Sequence, residues 1–180
     1  LQHDPRIQFV ICGSGPYKEN LQVIARNKNV TNLRFLPLQP EEDFNAFLNI
    51  TDVHLVIQKK NASDLMMPSK LTTIWSAGGL ALVTAEKGSS MHEVISKHDI
   101  GVVIDCEQPA LLKDAILDCC NTSYDHKKAN SRIYAKRSLS KEHILSDMMM
   151  SLQGSPVYET LWRTLPGSEP KAANAVSALQ

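Results

Sequence analysis

The residues best suited to chemistry lie in a polar loop, Gln58 to Asp64, and in the Pro-Ser-Lys run at positions 68–70 that follows it. Proline is favoured in the first turn of a helix, where its missing N–H leaves no hydrogen bond unmade. A helix that begins there offers free backbone N–H groups, to which Ser69 adds a hydroxyl and Lys70 a positive charge. This pattern predicts a phosphate or diphosphate site.

The charged residues of this stretch are open to two interpretations each. Lys59 and Lys60 form either a solvated loop edge or ligand contacts, and Asp64 is either a turn residue or a hydrogen-bond partner of ligand hydroxyls. Lys70 is more informative, because a cation in the first helical turn opposes the helix dipole unless an anion compensates it. We therefore expect an anionic ligand beside Lys70, with Ser69 in the same role.

A second turn with small residues, Gly13, Ser14 and Gly15, follows the first apolar run. It is a shortened form of the phosphate-binding glycine fingerprint, without the third glycine and without an acidic residue at dinucleotide spacing. A tight turn that requires small residues explains the same pattern. An NAD-dependent dehydrogenase is therefore disfavoured.

Alternating strand and helix patterns position these turns. Apolar runs predict strands at 7–12, 30–38, 52–57, 80–84 and 101–104, and helical spacing predicts helices that begin near positions 17, 40, 68, 91 and 109. Leu21, Ile24 and Ala25 should lie on the buried side of the first helix. The alternation predicts an α/β fold, a doubly wound and mostly parallel sheet with helices on both faces. Ligands of such sheets bind outside the carboxyl ends of the strands, where all the candidate turns fall.

The last part of the chain changes character. Helical spacing continues from about Tyr124 to about Leu152, and the glycine, proline and small residues beyond it predict a loosely attached or disordered tail. We therefore assign residues 1–152 to one domain and residues 153–180 to the tail. The chain does not begin with methionine and its first strand comes almost at once, so we expect it to be part of a longer protein.

Composition excludes several classes of function. The 19 lysines and arginines balance the 19 aspartates and glutamates, so no global field favours nucleic acid or an anionic membrane. No apolar window reaches the ~18 residues of a membrane span, so we expect a cytoplasmic protein. The four cysteines form no Cys-x-x-Cys pair and are expected to be buried thiols, and the six histidines lack ligand spacing. We therefore predict no metal site.

The chain resembles the C-terminal, donor-binding domain of a retaining GT-B glycosyltransferase, in the group that builds bacterial exopolysaccharides such as colanic acid. The matching stretches are FVICGSGPYKENLQ, NLRFLPLQP, DVHLVIQKKNASDLMMPSKLTTIWSAGG, ALVTAEKGSSMHEVI, GVVIDCEQPALLKDAI and YAKRSLSKEHIL. They extend over residues 7–150, and the run around Pro-Ser-Lys is the most specific. The resemblance implies the Rossmann-like half of a GT-B fold, without its first strand and with a helical C-terminal extension.

The resemblance also implies a role for individual residues in binding a nucleotide-diphospho-sugar donor. The donor diphosphate would be held by Ser69, Lys70, Gly13, Ser14 and Gly15. The nucleotide base would be met by the backbone of Leu36, Pro37 and Leu38. The donor sugar would be bordered by Gln58, Lys59, Asp64 and Thr73. Many members carry a pair of glutamates where this chain has Leu65 and Thr73, so ribose recognition is unassigned.

By the same resemblance, the protein would transfer a sugar from a GDP- or UDP-linked donor with retention of configuration, without a metal ion or cofactor. The catalytic residues and the site for a saccharide or lipid-linked acceptor would lie in an N-terminal domain outside this chain, which alone would be inactive. The parent protein would then be peripheral, at the inner face of the cytoplasmic membrane. The alternative is a noncatalytic binding or assembly subunit that completes a split transferase. A nucleotide-sugar epimerase is disfavoured, because the chain has no cluster of acid–base groups.

Overall fold

The computed structural model describes residues 1–60 and 67–153 of the 180-residue chain. The strands are β1 (Phe9–Cys12), β2 (Leu33–Leu36), β3 (His54–Val56), β4 (Ala81–Thr84) and β5 (Val102–Ile104). The helices are α1 (Lys18–Asn27), α2 (Glu41–Asn49), α3 (Ser69–Ala77), α4 (Ser90–His98), α5 (Pro109–Asn121), α6 (Asp125–Ser138) and α7 (Lys141–Gln153). Strand and helix alternate as far as α5, so the predicted α/β class is confirmed. Each strand is shorter than its apolar run, because ladder hydrogen bonds form only where a neighbouring strand lies alongside.

The strands are parallel throughout and form two sheets. In the first sheet β1 lies beside β2, with Phe9 opposite Leu33. In the second sheet the order is β3-β4-β5, with Val56 opposite Val83. The strands predicted to form one sheet thus hydrogen-bond as two, and among the described strands β1, β2, β3 and β5 each keep one unpaired edge. Within each sheet the carboxyl ends of the strands share one edge, as the predicted site requires.

The core is centred on β4, which is buried along its whole length. Helix α3 packs Leu71, Ile74 and Trp75 into this core with no exposed surface. The Trp75 indole donates a hydrogen bond to the Ile100 carbonyl at 3.0 Å, and the ring of Tyr134 meets it edge-on at 5.5 Å between centroids. A strand that is buried on both faces is typical of a parallel sheet covered by helices.

The layer formed by β1, β2 and α1 is more open than predicted. Val10 and Ile11 of β1 are exposed, although the apolar run predicts a buried strand. Leu21 and Ile24, predicted on the buried side of α1, are each 43% exposed, and α1 has no buried residue. A two-stranded sheet is only about 10 Å wide, no wider than a helix with its side chains. Such a narrow sheet leaves part of α1 uncovered.

The expectation of buried thiols is wrong for one cysteine. Cys106 is buried and Cys12 and Cys119 are partly buried, whereas Cys120 is exposed. Cys120 lies in the last turn of α5, where the end of the helix is open to solvent.

Helix α3 begins and ends where the sequence predicts. Pro68 precedes it in extended conformation as the N-cap, and Gly78 closes it with a left-handed φ of 73°. The N–H groups of Gly78 and Gly79 donate to the carbonyls of Trp75 and Ile74, at 3.0 and 2.9 Å. Glycine adopts the left-handed conformation without the steric cost that other residues incur, which explains why the helix stops at this point.

The chain divides into two units, residues 1–137 and 138–180. The second unit contains α7, whose last residue, Gln153, is also the first residue of the predicted tail. Within α7, His143 and Asp147 pair across one turn, with 3.3 Å between Nε2 and Oδ2. Residues 154–180, the rest of the predicted tail, lie outside the described residues. Over the described ranges, no helix combines the length and apolar character needed to cross a membrane.

Candidate functional site

The first turn of α3 presents backbone N–H groups that no side chain caps. The N-cap residue, Pro68, makes no side-chain hydrogen bond to the helix, and the first turn has no acidic residue. The carbonyl of the exposed Ser69 accepts hydrogen bonds from the hydroxyls of Thr72 (2.7 Å) and Thr73 (3.3 Å). By comparison, α4 is capped by the Ser89 side chain, which accepts from a backbone N–H. A helix start without capping or acidic side chains is suited to an anionic ligand.

Lys70 lies against the end of β3. Its ammonium donates to the Leu55 carbonyl at 2.9 Å. The N–H of His54 donates to the carbonyl of Leu80, the residue before β4. Successive residues of a strand point their carbonyls to opposite sides, so the Leu55 carbonyl points to the unpaired edge of β3. Lys70 is solvent-accessible, but its ammonium is crowded by protein atoms, and this desolvation lowers the pKa of Lys70 below its ordinary 10.5. In the described part of the chain no carboxylate pairs with Lys70, so its charge is available to an anion from outside the protein.

Lys18 holds the glycine turn and the end of β2 together. Its ammonium donates to the carbonyls of Gly13 (2.9 Å) and Leu36 (3.3 Å). The Gly13 N–H donates to the Leu36 carbonyl at 3.2 Å, and the Cys12 thiol donates to the Pro37 carbonyl at 3.1 Å. The segments predicted to lie near the diphosphate and the base are therefore neighbours at the carboxyl edge of the first sheet.

The two glycines of that turn have different requirements. Gly13 has a φ of 126°, a backbone conformation that other residues rarely adopt. Gly15 has no positive φ, and a Cβ added there would meet nothing within 4 Å. Ser14 is exposed between them. A tight turn therefore explains Gly13, whereas neither backbone conformation nor crowding explains Gly15.

Gln58 lies two residues beyond β3 and is held by the last residue of β4, Thr84. The Gln58 N–H donates to the Thr84 hydroxyl at 2.7 Å, and this hydroxyl donates to the Gln58 carbonyl at 3.0 Å. The carboxamide oxygen of Gln58 is buried and receives no hydrogen bond from the described residues. Cys106, just beyond β5, lies beside Thr84, and burial raises the pKa of its thiol. The loop that begins at Gln58 is thus attached to the end of β4.

Lys60 attaches the same loop to two further turns at this edge. Its ammonium lies 3.7 Å from a carboxylate oxygen of Glu86, which follows β4. Its backbone N–H donates to the carboxylate of Glu107 at 3.5 Å. Glu107 follows β5 and has a left-handed φ of 57°, which is uncommon for a residue other than glycine. The turns after β3, β4 and β5 therefore converge.

The remaining residues of the predicted site differ in exposure and in their hydrogen bonds. Lys59 is exposed, and Leu38 is 73% exposed. Thr73 uses its hydroxyl for the bond to Ser69 inside α3. Asp64 belongs to residues 61–66, which lie outside the described residues.

Several residues that connect the site had little or no signal in the sequence. Thr84 had a weak one, as a polar residue that closes an apolar run. Lys18 and Glu107 had none, because the groups they bond are reached only through the packing of separate strand ends.

Residues 1–138 match the family described as Glycosyl transferases group 1. The chain belongs to this family. It is 33% identical over 156 residues to WcaI of Escherichia coli (strain K12), which bears the name colanic acid biosynthesis glycosyl transferase. That match covers 86% of this chain and 37% of WcaI. The resemblance drawn from the sequence motifs is therefore confirmed.

A solved structure shows the same fold. The crystal structure of WaaG, a glycosyltransferase involved in lipopolysaccharide biosynthesis, matches with a TM-score of 0.55 at 18% identity. The match covers 72% of this chain and 34% of the WaaG chain. This group 1 chain thus spans well under half the length of both relatives.

Proposed function

We propose that this chain is the donor-binding part of a group 1 glycosyltransferase, and that it binds the diphosphate of a nucleotide-sugar at the start of α3. Lys70 carries the proposal. It places a cation in the first turn of a helix that has no capping side chain and no acidic residue there, and no described carboxylate compensates it. An anion satisfies both the cation and the free N–H groups, and a nucleoside diphosphate is the anion that the resemblance implies.

The same groups would assist the reaction. When the bond between the anomeric carbon and the diphosphate oxygen breaks, negative charge develops on the leaving diphosphate. In the proposed complex the N–H groups of α3 and the Lys70 ammonium would face that charge, and they would then stabilise the transition state more than the ground state.

We extend the proposal to the pathway on the strength of the family and of the name borne by WcaI. The donor is a GDP- or UDP-linked sugar, transferred with retention of configuration during bacterial exopolysaccharide assembly. The acceptor is a saccharide or a lipid-linked saccharide, bound outside this chain. A lipid-linked acceptor would place the whole protein at the inner face of the cytoplasmic membrane.

The proposal is tested by the affinity of the chain for GDP and UDP in isothermal titration calorimetry. We expect Lys70→Met to weaken binding by about tenfold to a hundredfold, because a hydrogen bond to a charged group contributes about 1.5–3 kcal/mol.

Lys97→Met is the matched control. Lys97 is an exposed lysine in the last turn of α4. Because α4 starts at the carboxyl edge, its last turn points toward the opposite edge of the sheet, and we expect this variant to bind like the wild type. NAD is the control ligand. Equal affinity of wild type and Lys70→Met for GDP and UDP, or binding of NAD alone, would contradict the proposal.

A further inference from the structure

The ladder between β3 and β4 ends in an unusual way. The His54 N–H donates to the Leu80 carbonyl at 2.8 Å, and the register continues with Val56 opposite Val83. In a parallel ladder every second residue of a strand donates its N–H to the neighbouring strand. If the ladder continued beyond Val56 in the same register, the Gln58 N–H would donate to the Thr84 carbonyl. The Thr84 side chain replaces that bond: its hydroxyl accepts from the Gln58 N–H at 2.7 Å and donates to the Gln58 carbonyl at 3.0 Å.

The replacement of a backbone hydrogen bond by the Thr84 hydroxyl determines where Gln58 lies. A side chain now stands between the two backbones, so β3 separates from β4 at Gln58 and the loop leaves the sheet at that residue. Thr84 is almost completely buried, at 3% exposure of the residue. Its hydroxyl makes two hydrogen bonds to the Gln58 backbone and also contacts the Cys106 thiol. The Thr84 hydroxyl is therefore the direct hydrogen-bond partner of the Gln58 backbone, two residues before the contacts of Lys60 with Glu86 and Glu107.

The Gln58 side chain has an unmet hydrogen-bonding need. Its carboxamide oxygen is buried and receives no hydrogen bond from the described residues. Buried oxygen acceptors are nearly always satisfied in folded proteins. Gln58 as a whole is only partly buried, so a rotation of its side chain would bring this oxygen to a donor on a bound ligand. An acceptor oxygen is repelled by a phosphate and attracted to a hydroxyl, which is the group that a sugar supplies.

The distance along β3 agrees with such a partner. Lys70, the proposed diphosphate ligand, bonds to the Leu55 carbonyl, and Gln58 lies three residues further along the chain. Extended backbone advances about 3.3 Å per residue, so the two sites are up to ~10 Å apart, which is the scale of a sugar attached to a diphosphate.

We propose that Thr84 is a positioning residue for the donor sugar: its hydroxyl holds Gln58 so that the Gln58 carboxamide oxygen accepts a hydrogen bond from a sugar hydroxyl. The inference rests on the proposed function and adds a determinant of sugar binding that is separate from the diphosphate site. If Thr84 has this role, its loss lowers one affinity of the protein and leaves another unchanged. The affinity for nucleotide-sugars falls, and the affinity for the nucleoside diphosphates alone does not.

The test compares GDP and UDP with a panel of GDP- and UDP-linked sugars on the full chain, by isothermal titration calorimetry. Thr84→Val keeps the shape of the side chain and removes the hydroxyl, and with it both hydrogen bonds to Gln58 and the contact with the Cys106 thiol. We expect it to lower the affinity for the sugar-bearing ligand by about fivefold to tenfold, with unchanged affinity for the matching diphosphate. Thr84→Ser restores the hydroxyl and should recover most of the loss. A merely structural role of Thr84 would weaken both ligands alike.

A second variant keeps the test decisive if Thr84→Val does not fold. Gln58→Met removes the carboxamide and leaves the backbone groups that Thr84 bonds. We expect the same selective loss, and the double variant should lose no more than Gln58→Met alone, because both changes act through one oxygen atom.

The outcomes separate the two proposals. If the wild type binds diphosphates and sugars but Thr84→Val and Gln58→Met leave the ratio of the two affinities unchanged, the role of Thr84 is refuted and the proposed function stands. If the wild type binds none of these ligands, the proposed function fails and this inference fails with it.

Discussion

Lys70 holds its proton less tightly than an ordinary lysine, because its ammonium is desolvated and its hydrogen-bond partner, the Leu55 carbonyl, is neutral. A bound diphosphate would reverse this effect, since a nearby anion favours the charged form and raises the pKa. Between the pKa of the free protein and the higher pKa of the complex, binding would therefore be accompanied by uptake of a proton.

A pH dependence of binding follows. In that window the complex holds more protons than the free protein, so the affinity for GDP or UDP should fall as the pH rises through the lowered pKa of Lys70. Calorimetric titrations from about pH 7.5 to about pH 10.5 would measure it. Lys70→Met is the reference, because titration of the ligand itself appears equally in both proteins. Identical slopes in the two proteins would show that Lys70 does not face the diphosphate.

At the scale of the element, α3 is closed by adjacent glycines that serve different purposes. Position 78 requires glycine because its backbone is left-handed, with a φ of 73°. Gly79 is required by its surroundings, because an added Cβ would lie 2.9 Å from Cδ2 of His54. The His54 ring is buried, and its Nε2 lies 3.1 Å from the Leu48 carbonyl at the end of α2. The ring therefore connects α2, β3 and the end of α3.

We expect Gly79→Ala to lower the free energy of unfolding by about 1–3 kcal/mol, the usual cost of overpacking a buried site. Urea denaturation followed by circular dichroism would measure it. Gly15→Ala is the control, because a Cβ there meets nothing within 4 Å, and its effect on stability should stay within about 0.5 kcal/mol. A Gly79→Ala protein as stable as the wild type would mean that His54 can move, and that this connection between the elements is loose.

At the scale of the whole molecule, the two sheets of the first unit differ in burial. β4 is buried throughout, whereas β1 has two exposed residues among its four, and α1 buries none. Segments with little buried apolar surface open at lower free energy than the core of the same protein. The glycine turn and the segment after β2 thus belong to the less protected layer, and the helix α3 site to the more protected one.

Native-state hydrogen exchange should separate the two layers. We expect the backbone amides of β1 and β2 to exchange faster than those of β4, because the first sheet can open while the second stays folded. Mass spectrometry of peptides from each strand would show the difference under one set of conditions. Equal protection of β1 and β4 amides would indicate that the first unit opens only as a whole, against this expectation.

Local chemistry allowed much of this protein to be predicted from its sequence. Apolar runs and helical spacing identified every strand that the structure describes and the limits of α3 from Pro68 to Gly78, because these features depend on neighbouring residues in the chain. The run around Pro-Ser-Lys identified the family. The same periodicity overestimated the burial of Leu21 and Ile24, because it reports which face of a helix is apolar and not how much sheet is there to cover it.

Only the tertiary structure decided how the site is assembled. Lys70 turns toward Leu55, and the Thr84 hydroxyl takes the place of a ladder hydrogen bond at Gln58. Each of these contacts joins residues that are far apart in the chain, and each depends on the register of one strand against the next. Register and the crossing of separate loops leave no trace in local composition, so the residue types of the site could be predicted, and the groups that hold them in place could not.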